Sequence, residues 1–268
     1  MNMQKKICFI GAGNMGEALI KGLSGDKSAF QIGILETNAE RRAYIKKIYK
    51  VNVLKNIQDI NNYEICLIAV KPQTVHQIIP DLAAIINTKI LIVSIAAGLT
   101  IDFYKRYLPR NKIVRVMPNA PALINEGMSG ICFSQNCSGK DKKIVTGVFE
   151  NVGDILCVKE DLMNSVTALS GSGPAYFFYL ADSFAKEARG IGLNYADALH
   201  LTGKTMLGAA KMLLQAQKTP AELIKMVASP KGTTEAALKL LQTPQISAII
   251  KNTLLGAKKR AEELSKNI

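Results

Sequence analysis

The sequence predicts an α/β domain built on a doubly wound parallel sheet, followed by an all-α second domain. In the first half, short apolar runs rich in branched residues alternate with helical segments, which is typical of parallel strands covered on both faces. After about Asp161 the strand signals stop, and the rest of the chain carries helix start signals. The predicted domains are therefore residues 1–160 and 161–268.

The elements of the first domain follow from its apolar runs. The predicted strands are Ile7–Ile10, Ile32–Leu35, Ile65–Val70, Ile90–Ile95, Ile113–Val116 and Asp154–Val158. The predicted helices between them include Glu17–Leu23, Glu40–Tyr49 and Gln73–Ile86.

Helices of the second domain are predicted from their first residues. Pro174 stands where a first helical turn accepts proline, and Thr219 with Glu222 forms a capping box. Thr243 precedes a proline at the start of a last helix that runs toward Leu264.

Composition excludes several function classes. The 34 basic and 21 acidic residues give a net charge of +13, but lysines occur singly or in pairs without interleaved aromatics, which argues against nucleic-acid binding. Apolar runs are too short to cross a membrane. Five cysteines without framework spacing, and no signal peptide, predict a cytoplasmic location. Only two histidines occur, far apart, and no metal site is predicted.

A glycine motif follows the first predicted strand and opens a helix. Gly11 permits a tight turn, Gly13 lets the backbone approach a pyrophosphate, and Gly16 permits close packing of helix on strand. The helix start at Asn14 and Met15 supplies N–H groups and a positive dipole. Strand, glycine turn and helix together predict a Rossmann-type dinucleotide site.

The preference between NADH and NADPH stays open. Glu36 lies 20 residues past Gly16, where an acidic side chain binds the ribose 2′-OH of NAD. Thr37 is next to it, and Arg41 and Arg42 could instead pair with the 2′-phosphate of NADP or simply be solvated.

Four further segments give the sequence a family resemblance. They are Ala69–Pro72 (AVKP), Ser94–Gly98 (SIAAG), Arg115–Pro121 (RVMPNAP), and Leu169–Tyr176 (LSGSGPAY) with Ser229–Thr234 (SPKGTT) downstream. With the glycine motif, this ordered set resembles pyrroline-5-carboxylate reductase over essentially the whole chain. The resemblance implies NAD(P)H-dependent reduction of the imine Δ1-pyrroline-5-carboxylate to L-proline, and a C-terminal dimerisation domain that makes at least a homodimer.

Cofactor contacts beyond the glycine motif are implied by the resemblance. Val70, Lys71 and Pro72 stand at the end of a parallel strand, and in this family the segment acts through its backbone beside the nicotinamide. Asn119 offers a donor and an acceptor that suit the carboxamide or the ribose. Asn56 matches an asparagine near the adenine ribose phosphate, although an ordinary loop residue fits it nearly as well.

The substrate is expected at the Ser229–Thr234 loop, which precedes a helix. Its hydroxyls and the N–H groups of Gly232 and Thr233 form a natural seat for a carboxylate, although helix capping by a threonine is the alternative. The resemblance implies that Thr234 faces the imine nitrogen and that Thr167 lies near the substrate. These two threonines are the expected catalytic residues.

Lys231 departs from the family pattern, because most relatives have glycine there. If the position needs a positive φ, lysine is strained; if it does not, Lys231 adds attraction for an anionic substrate.

Two rivals remain. A β-hydroxyacid dehydrogenase or imine reductase acting on another small substrate has the same layout, but its catalytic lysine is missing from the helix after the boundary, which has none before Lys186. A non-catalytic nucleotide-sensing or membrane-associated protein would have no use for the complete Ser229–Thr234 loop.

Overall fold

The computed structural model describes residues 4–25 and 30–266. The described residues form two compact units, one from Met1–Ser172 with Ala257–Ile268 and one from Gly173–Gly256. The first unit therefore includes residues 161–172, which the sequence assigned to the helical domain. The boundary after residue 160 stays a prediction.

An eight-stranded sheet forms the centre of the first unit, in the order β3-β2-β1-β4-β5-β6-β7-β8. The strands are β1 Lys5–Ile10, β2 Phe30–Leu35, β3 Asn52–Val53, β4 Ile65–Ile68, β5 Leu91–Ser94, β6 Lys112–Met117, β7 Gly127–Phe133 and β8 Gly153–Cys157. The pairs are parallel except β6 with β7. The strand order reverses between β1 and β4, which is where open α/β sheets bind ligands.

The predicted fold class is confirmed, and the sheet contains two strands that the sequence did not predict. β7 was not predicted, because its first half is Gly-Met-Ser-Gly and lacks the branched residues that mark the other strands. It runs antiparallel to β6 and parallel to β8. The two-residue β3 was also missed, being too short to carry a pattern.

Helices cover the sheet and make up the second unit. They are α1 Asn14–Gly25, α2 Ala39–Tyr49, α3 Pro72–Ile85, α4 Ile101–Tyr107, α5 Gly139–Glu150, α6 Met163–Val166, α7 Gly173–Glu187, α8 Tyr195–Gln215, α9 Pro220–Val227, α10 Thr233–Leu241 and α11 Pro244–Lys266. The predicted capping box is present, since Glu222 accepts the Thr219 N–H and Thr219 accepts the Glu222 N–H.

The core of the first unit lies on both faces of the sheet. Successive residues of β1 point to opposite sides, so that Phe9 joins one apolar cluster and Cys8 joins the other, and both are fully buried. Burial on both faces explains why the strands read as continuous apolar runs. No helix among the described residues has the length and hydropathy needed to cross a membrane.

Candidate active site

The glycine loop between β1 and α1 leaves room only for glycine at its first position. Gly11 has φ +89°, and a Cβ on it would lie 2.5 Å from Val70 Cγ1. A Cβ on Gly16 would lie 3.0 Å from the Gly11 carbonyl oxygen, so α1 starts close against the loop. At Gly13, by contrast, no atom lies within 4 Å of the Cβ position. The loop is therefore tight on the protein side and open where a pyrophosphate would approach.

Glu36 holds this loop with its carboxylate. Its Oε2 accepts the Ala12 N–H at 2.8 Å, and its Oε1 accepts the Asn38 N–H at 2.9 Å. The side chain is thus fixed at the carboxyl end of β2, beside the loop. The sequence predicted the position of this carboxylate but not its bond to the loop.

Both arginines of α2 are tied to the same loop and turn. Arg41 Nε donates to the Ala12 carbonyl at 2.6 Å, and its Nη2 donates to Glu17 Oε2 at 2.5 Å. Arg42 Nη1 donates to the Glu36 carbonyl at 2.8 Å. Each guanidinium therefore has partners within the protein, and Arg41 is neutralised by Glu17.

Tyr49 completes the Glu17 cluster. Its hydroxyl donates to Glu17 Oε1 at 2.8 Å. Desolvation, followed by the bond to Glu17, raises the pKa of Tyr49 to about 12. The phenol thus stays a donor at neutral pH and helps to fix the partner of Arg41.

Several predicted cofactor residues lie around one small cavity. It has a volume of about 110 Å³, and Gly11, Glu36, Thr37 and Val70 are part of its wall. Asn56 immediately precedes another wall residue, Ile57, and stands at the N-cap of a 3₁₀ turn. Four loops at the carboxyl ends of β1, β2, β3 and β4 therefore contribute to this place, as expected at a topological switch point.

Lys71 and Pro72 begin α3. Lys71 is the N-cap, with its carbonyl accepting the Val75 N–H at 3.0 Å, and Pro72 occupies the first helical position. Lys71 is exposed and has no side-chain capping bond. The segment thus offers backbone at the end of β4, and its role beside the nicotinamide stays a prediction.

Asn119 joins three parts of the first unit. Its Nδ2 donates to the carbonyl and the hydroxyl oxygen of Ser170, both at 3.3 Å, and its Oδ1 accepts the Met128 N–H at 2.8 Å. The amide therefore already has partners on β7 and on the segment before α7. The sequence predicted that Asn119 contacts a ligand. It gave no signal for these hydrogen bonds, because the partner Ser170 lies 51 residues further along the chain.

Thr167 begins a π-helical segment, Thr167–Gly171, that follows α6. Its hydroxyl donates to the Met163 carbonyl at 2.8 Å, and its carbonyl accepts the Ser172 N–H at 2.8 Å. Such single π turns are frequent at functional sites. Bonded this way, the Thr167 oxygen can still accept a hydrogen bond but has used its own proton.

The Ser229–Thr234 loop in the second unit forms a tight turn before α10. The Gly232 N–H donates to the Ser229 carbonyl at 3.0 Å, and a Cβ on Gly232 would lie 2.5 Å from Ser229 Oγ. Gly232 is the N-cap of α10 and provides no side-chain cap. Thr233 and Thr234 are therefore the first two helical residues, and neither of them caps the helix.

Lys231 adopts a positive φ, the conformation that glycine tolerates and that strains a lysine. Its φ is +61°, in the left-handed region that side chains with a Cβ rarely occupy. Its N–H donates to Glu235 Oε2 at 2.6 Å. Of the two alternatives, the structure has the strained one.

The predicted residues are divided between the units. The cofactor candidates and Thr167 lie in the first unit, and the Ser229–Thr234 loop lies in the second. On α7, Lys186 lies in the last turn and pairs with Asp182 at 2.6 Å. Among residues 4–25 and 30–266, no group of three or more histidine, cysteine or acidic side chains could hold a metal ion.

Two family models match the chain. Residues 160–264 match pyrroline-5-carboxylate reductase dimerisation, and residues 6–98 match NADP oxidoreductase coenzyme F420-dependent. The first match covers the helical part, and the second covers the glycine loop with strands β1 to β5.

Curated relatives match at full length. The pyrroline-5-carboxylate reductase of Pseudomonas aeruginosa is 37% identical, with 98% of both chains covered. That of Escherichia coli is 33% identical, with 99% of this chain and all of the relative covered.

Solved structures match in the same way. A pyrroline-5-carboxylate reductase from Coxiella burnetii superimposes with a TM-score of 0.93 at 31% identity, covering 98% of this chain and 99% of the other. The Plasmodium falciparum pyrroline carboxylate reductase with NADP bound has a TM-score of 0.84 at 26% identity, covering 97% and 98%.

Proposed function

The chain belongs to the pyrroline-5-carboxylate reductase family, and on this premise we propose that its Ser229–Thr234 loop binds the carboxylate of the imine while Thr234 faces the imine nitrogen. The enzyme is an NAD(P)H-dependent oxidoreductase that reduces Δ1-pyrroline-5-carboxylate to L-proline, the last step of proline biosynthesis. The residues that perform this reaction are our proposal.

The observation that carries the proposal is the start of α10. Gly232 is the N-cap without a side-chain bond, and Thr233 and Thr234 follow as the first helical residues. The first N–H groups of a helix have no carbonyl partner within it, and the helix dipole favours an anion there. These N–H groups and the presence of two threonines at the helix start support a carboxylate site here, with Ser229 and Gly232 shaping the turn.

The reaction needs little acid–base chemistry from the protein. When bound, the cofactor supplies a hydride to the C=N carbon, and the protonated imine nitrogen becomes the amine of proline without a further proton. The chain has to orient the ring, hold its carboxylate and stabilise the changing charge on nitrogen. In this proposal Thr234 meets that nitrogen, and Thr167 contributes from the first unit.

The cofactor residues are proposed on the geometry of the glycine loop. The open face at Gly13 and the start of α1 fit a pyrophosphate, and the cavity beside Gly11 fits part of the adenosine. The proposed contacts are Gly11, Gly13, Asn14, Met15, Gly16, Glu36, Thr37, Asn56, Val70, Lys71, Pro72 and Asn119.

The helical part of the chain is a dimerisation domain. We propose at least a homodimer whose substrate lies between one subunit's nucleotide domain and its partner's helices, with the domain boundary near residue 160. The apolar face of α7 supports this proposal, because Phe178 and Tyr179 are exposed in the single chain.

We propose a cytoplasmic enzyme that binds neither nucleic acid nor membrane. The five cysteines are all unpaired, which suits a reducing compartment. Its lysines are scattered over the sequence rather than gathered in a basic block.

Two imines test the proposal. The purified enzyme is assayed by nucleotide oxidation with Δ1-pyrroline-5-carboxylate and with 1-pyrroline, which lacks the carboxylate. If the loop holds the carboxylate, 1-pyrroline has a kcat/KM lower by about 100-fold or more, the usual effect of losing a charge-assisted hydrogen-bonded group. Equal kcat/KM values for the two imines would show that the loop does not bind the carboxylate.

A further inference from the structure

The substrate loop contains one residue in a conformation that its side chain opposes. Lys231 has φ +61°, which glycine adopts freely and which costs a residue with a Cβ free energy. It follows Pro230, whose ring fixes φ and which has no N–H. A loop with this sequence therefore has a competing conformation in which residue 231 returns to negative φ.

One side chain opposes that return. Glu235, the third residue of α10, reaches back and accepts the Lys231 N–H at 2.6 Å. The bond involves a carboxylate, and such bonds are shorter and stronger than neutral ones. The other end of the carboxylate lies 3.7 Å from Lys239 Nζ, one helical turn further on.

The same device occurs at α9 with a different target. There Glu222 is also the third helical residue, and it accepts the N–H of the N-cap Thr219 at 2.7 Å. At α10 the glutamate passes the N-cap Gly232 and binds the residue before it. The Glu222 bond secures a helix end, whereas the Glu235 bond secures the turn that precedes the helix.

We propose that Glu235 is a positioning residue for substrate binding, holding Lys231 in the left-handed conformation so that the Ser229–Gly232 turn presents Thr233 and Thr234 to the substrate carboxylate. The inference rests on the proposed role of this loop. Pro230 and Lys231 are the two central residues of the turn that the Gly232 N–H closes on the Ser229 carbonyl at 3.0 Å, and the positive φ of Lys231 makes it a type II turn.

The kinetic effect of losing the Glu235 bond depends on the fraction of molecules in which the turn is formed. If losing the Glu235 bond leaves a fraction of molecules with the turn formed, the apparent dissociation constant of the imine rises by the inverse of that fraction. Molecules that have bound the imine have the turn formed, so the chemical step is unchanged. The KM for the imine therefore rises, while kcat and the KM for the nucleotide stay near their wild-type values.

The test is a double-mutant cycle between Glu235 and Lys231. Glu235→Ala should raise the imine KM by about three- to tenfold, the range expected for a single solvent-exposed hydrogen bond, and Glu235→Gln, which keeps an acceptor oxygen, should raise it less. In a Lys231→Gly background the Glu235→Ala effect should fall below about twofold, because glycine takes the positive φ without the bond.

Two matched variants serve as controls. Glu222→Ala removes the equivalent bond at α9 and should lower the melting temperature while leaving the imine KM unchanged. Lys50 has φ +55° at the end of α2, so Lys50→Gly relieves a comparable backbone without any relation to Glu235. It should not rescue Glu235→Ala.

The outcomes separate the two proposals. An imine KM within twofold of wild type in Glu235→Ala, or a raised KM that Lys231→Gly fails to rescue, overturns the role of Glu235. If Glu235→Ala does not fold, the same comparison is made with Glu235→Gln. If the loop does not bind the carboxylate, this is seen in the wild-type enzyme instead, because 1-pyrroline and the carboxylated imine then have equal kcat/KM values.

Discussion

The two compact units of the chain differ in how far they bury their apolar side chains. In the first unit, strand residues such as Phe9 and Leu67 are completely buried within the single chain. In the second, α7 carries Phe177, Phe178 and Tyr179 with exposed fractions of 58%, 69% and 71%. Exposed aromatic faces of this size mark surfaces that another chain covers. The first unit thus folds around its own core, and the second has the composition of a core that is completed on association.

A charge introduced into the exposed apolar face of α7 should have the largest effect on activity. Phe178→Glu places a charge in the apolar surface that we expect a second copy to cover, and an unpaired buried charge typically costs several kcal/mol. We expect a monomer in sedimentation velocity and turnover reduced by more than about 100-fold. Ile48→Glu, at a residue 51% exposed on α2 of the first unit, is the control and should leave assembly unchanged. A stable, fully active monomer would contradict the shared active site.

Gly13→Val should disable the first unit without unfolding it. The Cβ position at Gly13 meets no atom within 4 Å, so the side chain fits the protein but occupies the approach of the pyrophosphate. We expect the affinity for NADH and NADPH in calorimetry to fall by about 100-fold or more, with the dimer intact. Gly139→Val, at another open position, is the matched control. Wild-type binding by Gly13→Val would remove the loop from the cofactor site.

Thr234→Ala separates chemistry from folding in the second unit. A hydrogen bond that strengthens in the transition state is typically worth about 10–1000-fold in rate, and kcat/KM for the imine should fall by that order. Because Gly232 and not Thr234 is the N-cap, the melting temperature should hardly change. Thr253→Ala, whose hydroxyl bonds the Ile249 carbonyl within α11, is the control. Normal turnover would move the search for the imine contact to Thr167.

Glu36→Ser should have the smallest effect on kinetics and tests which residue of the first unit decides between NADH and NADPH. If Glu36 binds the ribose as we propose, loss of the carboxylate removes that partner and a charge that repels a 2′-phosphate, so the kcat/KM ratio should shift toward NADPH by about tenfold. Glu40→Ser, on the exposed start of α2, is the control for a general change in charge. An unchanged ratio would leave the choice of nucleotide to Thr37, Asn38 or the arginines.

Local sequence signals predicted the fold well, because they report on contacts close along the chain. Branched apolar runs marked β1 and β4, and the Thr219 box marked α9, since each depends on a few adjacent residues. The antiparallel β7 was missed because nothing within Gly127–Phe133 states its partner or direction.

The candidate site was predictable in its motifs but not in its bonds. The glycine loop and Ser229–Thr234 could be placed from their spacing and family resemblance. Two hydrogen bonds of the site join residues that are distant in sequence. One links Asn119 to Ser170, 51 positions away, and the other links Glu36 to Ala12, 24 positions away. Only the folded chain brings these residues together. For Lys231 the sequence posed the right question about φ, and only the backbone could answer it.

The bond between Glu36 and the Ala12 N–H has a consequence for how this enzyme can change its cofactor during evolution. The carboxylate that we propose as a ribose contact also holds the loop, so a substitution of Glu36 would change the order of the loop together with the choice between NADH and NADPH. Arg41 is in a similar position, because releasing it to meet a phosphate takes a donor from the Ala12 carbonyl and leaves Glu17 without its partner. A lineage that switches nucleotide should therefore pass through coupled replacements at Glu36, Arg41 and Glu17, and intermediates with only one of them should bind both nucleotides poorly.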